Sequence, residues 1–530
     1  MTDRHDAAVE DLIEYVESEK AAVSDAGRED DIASQHEHGK LTARERVDYL
    51  CDSDSFDEIG TLAAPAPTTP ETADWGREDA PADGIISGIG EIDGRPIAVA
   101  ATDFTVKGGS IGHTGGSKLR RVMRLGLEQG YPVILLHDGG GHRIQEGLDA
   151  RPTAQGDGGL TTLQTKLSGW VPTVSAMMGP GFAASTNWAA MSDFVPIVRG
   201  TGTMGVAGPS LVNAALGTDL SKQELGGADF QTAETGVASL ACADDEACLD
   251  AIRRYLSYLP RNAQADPPVE DDPTPPTDEM RERLLEEMPA DPKKGYDIYT
   301  IVDGVVDRES FFEIRPTYAQ NIVTGLARID GRPVSVVANN PRVKAGTIDT
   351  AASDKASHFA SVCDAFGLPI VLLADVPGIL PGPDSERDGV ARHSAKLPYE
   401  LNRATVPTCS VVLRRGYGYG YVAMGGGRSL ENDLAVAWPT AEIAAMGIEG
   451  AVDVAYSRVY ENAEDPEAKR QELIDEFIDR TGPVRAAEAV GIDGVIDPRE
   501  TRDRIRRALE RSGPEHEESW PPKKHSINPM

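Results

Sequence analysis

Residues 133–147 read VILLHDGGGHRIQEG. The apolar run Val133-Ile134-Leu135-Leu136 has the length and composition of a buried strand. It ends at His137-Asp138 and opens into Gly139, Gly140 and Gly141. Consecutive glycines bare backbone N–H groups where a ligand can come close. A second stretch, residues 370–382, reads IVLLADVPGILPG and puts Asp375 where Asp138 stood.

Working outward, the echo becomes a repeat of a whole domain. Ile92-Asp93-Gly94-Arg95-Pro96 matches Ile329-Asp330-Gly331-Arg332-Pro333, Lys118 matches Lys355, and Gly130 and Pro132 match Gly367 and Pro369. The offset is constant, since 333 − 96 and 375 − 138 both equal 237. Val171-Pro172-Thr173 then matches Val406-Pro407-Thr408 after a slip of two. Chance does not hold one register over about fifty positions, so the chain carries two copies of one βα domain. The reading is an α/β protein. One domain spans residues 1–262 and another spans 293–530. The Pro- and acid-rich segment 263–292 is a linker or a wrapped arm between them.

The composition narrows the class. The net charge is −34, and lysine is scarce, 14 of the 52 basic residues. A dense acidic surface of this kind suits high salt, which screens self-repulsion. No basic patch interleaved with aromatics appears, so nucleic acid is not expected as a partner. The five cysteines (Cys51, Cys242, Cys248, Cys363, Cys409) contain no CxxC pair, which argues against a disulfide scaffold or a zinc site. The first residues lack the apolar core of a signal peptide, and no run is long enough to span a membrane. A cytoplasmic protein with no bound metal is expected.

Several segments carry chemistry. Residues 5–60 read as two surface helices, one around Leu12 to Val16 and one over residues 44–50. His36-Glu37-His38 lacks further metal ligands nearby in sequence. The turn Gly108-Gly109-Ser110 precedes a helix bearing Lys118, Arg120, Arg121 and Arg124, which is either an anion site or a solvated face. Gly179-Pro180-Gly181-Phe182-Ala183-Ala184-Ser185 joins a strand to a helix. Small residues there either free adjacent amides for an oxyanion or make a tight packing turn. In the second copy, Arg392-His393-Ser394-Ala395-Lys396 and residues 416–421 (GYGYGY) follow Asp375. His393 reads as a core or capping histidine rather than a base.

Longer motifs carry a family resemblance. GKLTARERVDYL (39–50), GGSIG (108–112), RIQEG (143–147), ELGGA (224–228) and LSYLP (256–260) lie in the first half. NIVTGLARIDGRPVSVVANNP (321–341), DVPGILPG (375–382), RHSAKL (392–397) and WPTAEIAAMG (438–447) lie in the second. Over nearly its whole length the chain resembles the carboxyltransferase (beta) subunits of biotin-dependent acyl-CoA carboxylases, the propionyl-CoA and acetyl-CoA carboxylase group.

The resemblance implies two tandem crotonase-like domains, each a ββα superhelix, assembled into a ring-like homo-hexamer. It implies acyl-CoA along the first domain and biotin, borne on a separate carrier protein, against the second. Biotin carboxylase and carrier subunits would be the partners. The carboxyl group would pass to the carbon alpha to the thioester of propionyl-CoA or acetyl-CoA. The alternatives are a malonyl- or methylmalonyl-CoA decarboxylase subunit and a non-catalytic paralogue. Ala183, Ala184, Tyr419 and Gly420 are assigned as catalytic through their backbone. Gly108, Gly109, Lys118, Gly140, Gly141, Arg143, Gly418 and Val422 are assigned to the bound groups. Departures from the family cluster at these turns: Ala183-Ala184 replaces Gly-Gly, His142 replaces alanine, and Gly418-Tyr419-Gly420 replaces Gly-Gly-Ala. Gln231 and Thr235 replace the family's histidine and serine after ELGGA, and Val422 replaces an aspartate that bears on acyl choice. The expectation is that Cβ atoms crowd the first ligand, with left-handed backbone costing roughly 1–2 kcal/mol per alanine.

Overall fold

The apolar runs of the repeat form the centres of two sheets. The computed structural model describes residues 8–148, 150–154, 156–289, 291, 294–428 and 432–512. The outermost parts of the two expected domains, and Ala290 and Pro292 of the expected linker, lie outside the described residues. Among the described residues, one unit comprises residues 8–257 and 261–265, and the other comprises residues 258–260 and 266–512.

In the first unit the strands lie in the order Asp57–Glu58, Ile85–Ile92, Arg95–Thr102, Val133–Gly139, Thr173–Phe182, Pro196–Val198 and Leu240–Cys242. Thr203–Gly205 also pairs with Thr173–Phe182. The first two pairings are antiparallel and the rest are parallel. Parallel strands covered on both faces read as unbroken apolar runs rather than alternation. Every residue of Val133–Gly139 is accordingly buried. The helix His113–Gln129 lies close to this sheet: a Cβ on its Gly126 would stand 2.3 Å from Val133 Cγ2. Leu119, Val122, Met123, Leu160, Leu163 and Trp188 complete the core on that side.

The second unit repeats the plan. Its order is Phe312–Glu313, Ile322–Ile329, Arg332–Asn339, Ile370–Val376, Thr408–Tyr417, Leu434–Ala437 and Gly494–Val495, with Glu442–Ala444 also on Thr408–Tyr417. The repeat reaches single pairings. Ile85 sits opposite Thr102 in one sheet, and Ile322 opposite Asn339 in the other. Asp193 Oδ2 accepts the Thr173 amide at 2.8 Å, and Asp433 Oδ2 accepts the Thr408 amide at 3.0 Å. Trp438 is fully buried here, its Nε1 donating to Thr501 Oγ1 at 2.9 Å.

Two expectations become specific. Ala43–Leu50 is an amphipathic helix that buries Ala43, Arg46, Val47 and Leu50 and exposes Asp48 and Tyr49. The segment read as a linker or arm is tied to the second unit. The Glu270 amide donates to Gly331 O at 3.0 Å, and Asp278–Glu287 is a helix whose Leu284 enters that core. Its Pro and acidic composition hid one apolar helical face, of which only Leu284 is fully buried.

Candidate active site

Each strand that ends in the repeated aspartate anchors a charge cluster below the turn. Asp138 is fully buried; its carboxylate accepts Lys40 Nζ at 2.7 Å, Arg46 Nη1 at 2.8 Å and Gln35 Nε2 at 3.1 Å. Asp375, equally buried, accepts Arg414 Nη2 at 2.9 Å and Arg415 Nε at 2.7 Å. Buried carboxylates persist only when paired in this way. The partners come from different elements in the two copies, so the aspartate is what the repeat preserves. It holds the end of the strand, and hence the turn, in place.

The glycines at the first turn serve backbone packing. A Cβ on Gly109 would meet Asp138 O at 2.1 Å, and one on Gly139 would meet Gly109 O at 2.0 Å. Gly108 and Gly140 are exposed, and the Gly140 amide donates to Gly108 O at 3.2 Å. Gly141 is buried and pairs with Ser110 in a short parallel ladder, where Ile111 sits opposite His142. There Arg143 N donates to Ile111 O at 2.9 Å. Successive amides of an extended strand point opposite ways, which leaves the His142 amide outside the ladder.

The Ala183-Ala184 turn stands across from it. Ala183 adopts φ +60°, ψ −117°, a conformation L residues rarely take. Its amide is spent on Gly205 O at 2.9 Å, so Ala183 is no donor to a ligand, contrary to its assignment. Ala184 opens the helix Ala184–Ala190 with ordinary helical backbone, and its amide belongs to the first turn that the helix leaves unpaired. Only one of the two alanines is therefore strained. Ala184 and His142 line the same cavity of about 290 Å³, together with Ile111, His113, Leu160 and Trp188.

Two cations assigned to bound groups are already committed inside the protein. Lys118 is buried, and its Nζ donates to Gly60 O at 3.0 Å, to Ala82 O at 3.2 Å and to Ile85 O. An ammonium has three donors, so none remains for a ligand. Burial pulls its pKa down to about 8. Lys355 does the same, donating to Tyr318 O and Ile322 O at 2.8 Å each. Arg143 is fully buried. Its Nη1 donates to Asp83 at 2.6 Å and to Glu146 at 3.0 Å, and its Nη2 to Ser110 O at 3.2 Å. Glu146 in turn accepts the His113 amide at 2.7 Å. Both cations build the walls of the site and do not face its contents.

The second unit carries the matching turn. Ile348 and Ile379 form a parallel bridge, and Leu380 N donates to Ile348 O at 2.8 Å, as Arg143 N does to Ile111 O. The Ile379 amide is left over in the same way. Gly418, at φ +56°, takes the place of Ala183 and opens the helix Gly418–Ala423. Gly420 is buried against the other turn: a Cβ on it would be 2.8 Å from Gly378 Cα. Tyr419 is 52% exposed, and Val422 is half-buried one turn on. The sequence reading missed the His142 and Ile379 amides. Their signal was the position just after the glycines, one residue before the conspicuous Arg143 and Leu380.

Comparison with known proteins places this geometry. The model of the carboxyl transferase domain matches residues 34–527. The chain belongs to the carboxyl transferase domain family. A carboxyltransferase subunit of propionyl-CoA carboxylase from Haloferax mediterranei is 43% identical to it, over 98% of this chain and all of that one. The alpha subunit of methylmalonyl-CoA decarboxylase from Veillonella parvula is 38% identical, over 99% of this chain and all of that one. Among solved structures, the transcarboxylase 12S hexamer with methylmalonyl-coenzyme A and methylmalonic acid bound matches with a TM-score of 0.87 at 39% identity, covering 95% of this chain and 94% of that one. The two units are thus the tandem crotonase-like domains of a carboxyltransferase. Among the described residues no helix is long and apolar enough to cross a membrane.

Proposed function

We propose that this carboxyltransferase moves a carboxyl group between biotin, borne on a separate carrier protein, and the carbon alpha to the thioester of a short acyl-CoA such as propionyl-CoA or acetyl-CoA. The observation that carries the reading is the duplicated amide pair: His142 with Ala184, which share a cavity, and Ile379 with Tyr419 in the other unit. In the first unit the pair holds the thioester oxygen as it gains enolate charge. Each lost donor of this kind raises the barrier by about 3–4 kcal/mol. Ile111, Leu160 and Trp188 give the acyl group apolar walls, and Arg143 with Glu146 keeps the His142 turn in position.

The second turn fits the ureido oxygen of biotin. Its Ile379 amide is uncommitted, and the Gly420–Gly378 contact keeps side chains out of the approach. Carboxylated biotin supplies the carboxyl group and, once that is released, the base for the alpha proton. A side-chain triad is then unnecessary. Biotin carboxylase and carrier subunits are the partners on this reading, and the working assembly is a homo-hexamer. The acidic surface suits multimolar salt.

Decarboxylation of a malonyl-type CoA is the second reading, favoured by the similarity to the Veillonella subunit. It uses the same amide pairs. The test is incubation of the purified chain with methylmalonyl-CoA or malonyl-CoA and free biotin in place of the carrier. Biotin-dependent loss of the CoA carboxyl group supports carboxyl transfer. Equal loss without biotin would contradict the biotin-borne step that both readings share, and no loss contradicts both.

A further inference from the structure

The second unit holds a charged cluster that the amide pairs do not use. His393 Nδ1 lies 2.8 Å from both carboxylate oxygens of Asp354, and Lys396 Nζ donates to Asp354 Oδ1 at 2.5 Å. Arg392 Nη2 lies 2.9 Å from His393 Nε2. A guanidinium can only donate, so in this contact Nε2 accepts. His393 Nδ1 faces both Asp354 and Lys396 Nζ, the latter at 3.3 Å. Asp354 and His393 are mostly covered, with side chains 15% and 16% exposed, whereas Arg392 is exposed. Apart from the nitrogen given to His393, the Arg392 fork makes no hydrogen bond or ion pair among the described residues.

The repeat says where this cluster faces. The helix Leu160–Leu167 corresponds to Lys396–Arg403. At the offset of 237, buried Leu160, Leu163 and Gln164 fall on buried Leu397, Glu400 and Leu401. His393 then falls on Gly156, a wall of the cavity that Ala184 also lines. Asp354 falls on Ser117 of the neighbouring helix, between two other lining positions, Gly116 and Arg120. On this correspondence the cluster falls at the matching wall position of the second unit, where Ile379 and Tyr419 take the places of His142 and Ala184. A half-free guanidinium at such a position suits a planar carboxylate.

We propose that Arg392 receives the carboxylate carried on the biotin ring nitrogen, with His393 and Asp354 as positioning residues that aim it and Lys396 balancing the Asp354 charge. This rests on the carboxyltransferase reading above. It adds a charge-selective contact to a site otherwise made of backbone.

The test is titration calorimetry on the intact full-length chain with two stable probes. One is biotinamide; the other is biotinamide bearing a carboxymethyl group on the same ring nitrogen. Wild type is expected to bind the charged probe about 10- to 100-fold more tightly, as a charge-assisted pair allows. Arg392→Gln should abolish that preference and leave biotinamide binding unchanged. His393→Asn should reduce the preference, and His393→Gln, which keeps an acceptor near Nε2, should restore part of it. Equal binding of the two probes by wild type, or an undiminished preference in Arg392→Gln, overturns the proposal. Biotin-dependent carboxyl loss by wild type is measured alongside. Its absence would overturn the functional reading itself, whereas activity without probe discrimination overturns only the role of Arg392.

Discussion

Ala183 and Gly418 occupy one position in the two copies, at φ +60° and +56°, each just ahead of the amide that completes a pair. The turn demands this backbone in both units, and only the second copy meets it with glycine. Alanine there carries strain of about 1–3 kcal/mol. Ala183→Gly relieves that strain but adds unfolded-state freedom worth about 1 kcal/mol. A net gain of roughly 1 kcal/mol is expected, read as a higher urea midpoint at fixed protein and salt concentration. Gly418→Ala should lower the midpoint, because its Cβ would also stand 2.9 Å from Ala445 O.

Lys118 separates a structural role from a ligand role. Lys118→Met leaves the buried Ala82 and Ile85 carbonyls short of a donor, while the exposed Gly60 carbonyl can turn to water. A loss of about 2 kcal/mol follows, at about 1 kcal/mol or more per unsatisfied buried group. The KM for the CoA substrate, measured on the folded fraction, should stay within about twofold of wild type, since 1.4 kcal/mol is needed for tenfold. A large rise in KM with unchanged stability would restore Lys118 to the ligand.

Asp193 gives a dependence on pH. It is fully buried, and burial pushes its pKa up to about 7. The folded protein therefore keeps this proton while the unfolded chain, near pKa 3.9, has lost it. Stability from this group is full below about pH 4 and falls as pH rises through about 7. Asp193→Asn should flatten that part of the stability profile, observable as a smaller difference in thermal midpoint between about pH 5 and 8. An unchanged slope would contradict the assignment.

Much of this was legible in the sequence, and what was not has a physical reason. The repeat, the buried strands and the paired Asp138 and Asp375 could be read because apolar runs and register survive in one dimension. The roles of Lys118 and Arg143 could not. A cation in a basic helix or beside a glycine turn reads as an anion site, and its true partners are carbonyls and carboxylates such as Ala82 O and Asp83, remote in sequence. The donors at His142 and Ile379 were missed because a backbone amide leaves no mark of its own in the sequence. Ala183 and Ala184 looked equivalent there. The fold separates them, by one hydrogen bond to Gly205 and one positive φ.

The acidic surface sets a salt dependence. With a net charge of −34, repulsion within the folded chain should be strong at low ionic strength and screened at high. The thermal midpoint is expected to rise between about 0.1 M and about 2 M KCl, as the screening length shrinks from about 10 Å to under 3 Å. A flat response would remove the case for adaptation to salt.

The most direct measurement compares wild type with Ala184→Pro in the biotin-dependent loss of the carboxyl group from methylmalonyl-CoA. Proline is well accepted as the first residue of a helix and deletes the amide there, but it also disfavours the φ +60°, ψ −117° backbone of Ala183 before it, so the comparison is scored on protein that keeps the wild-type helix content and assembly. If the Ala184 amide holds the developing enolate, kcat should fall about 10²- to 10³-fold. The helix content and assembly of the variant should match wild type. A folded variant that works at the wild-type rate would contradict the account.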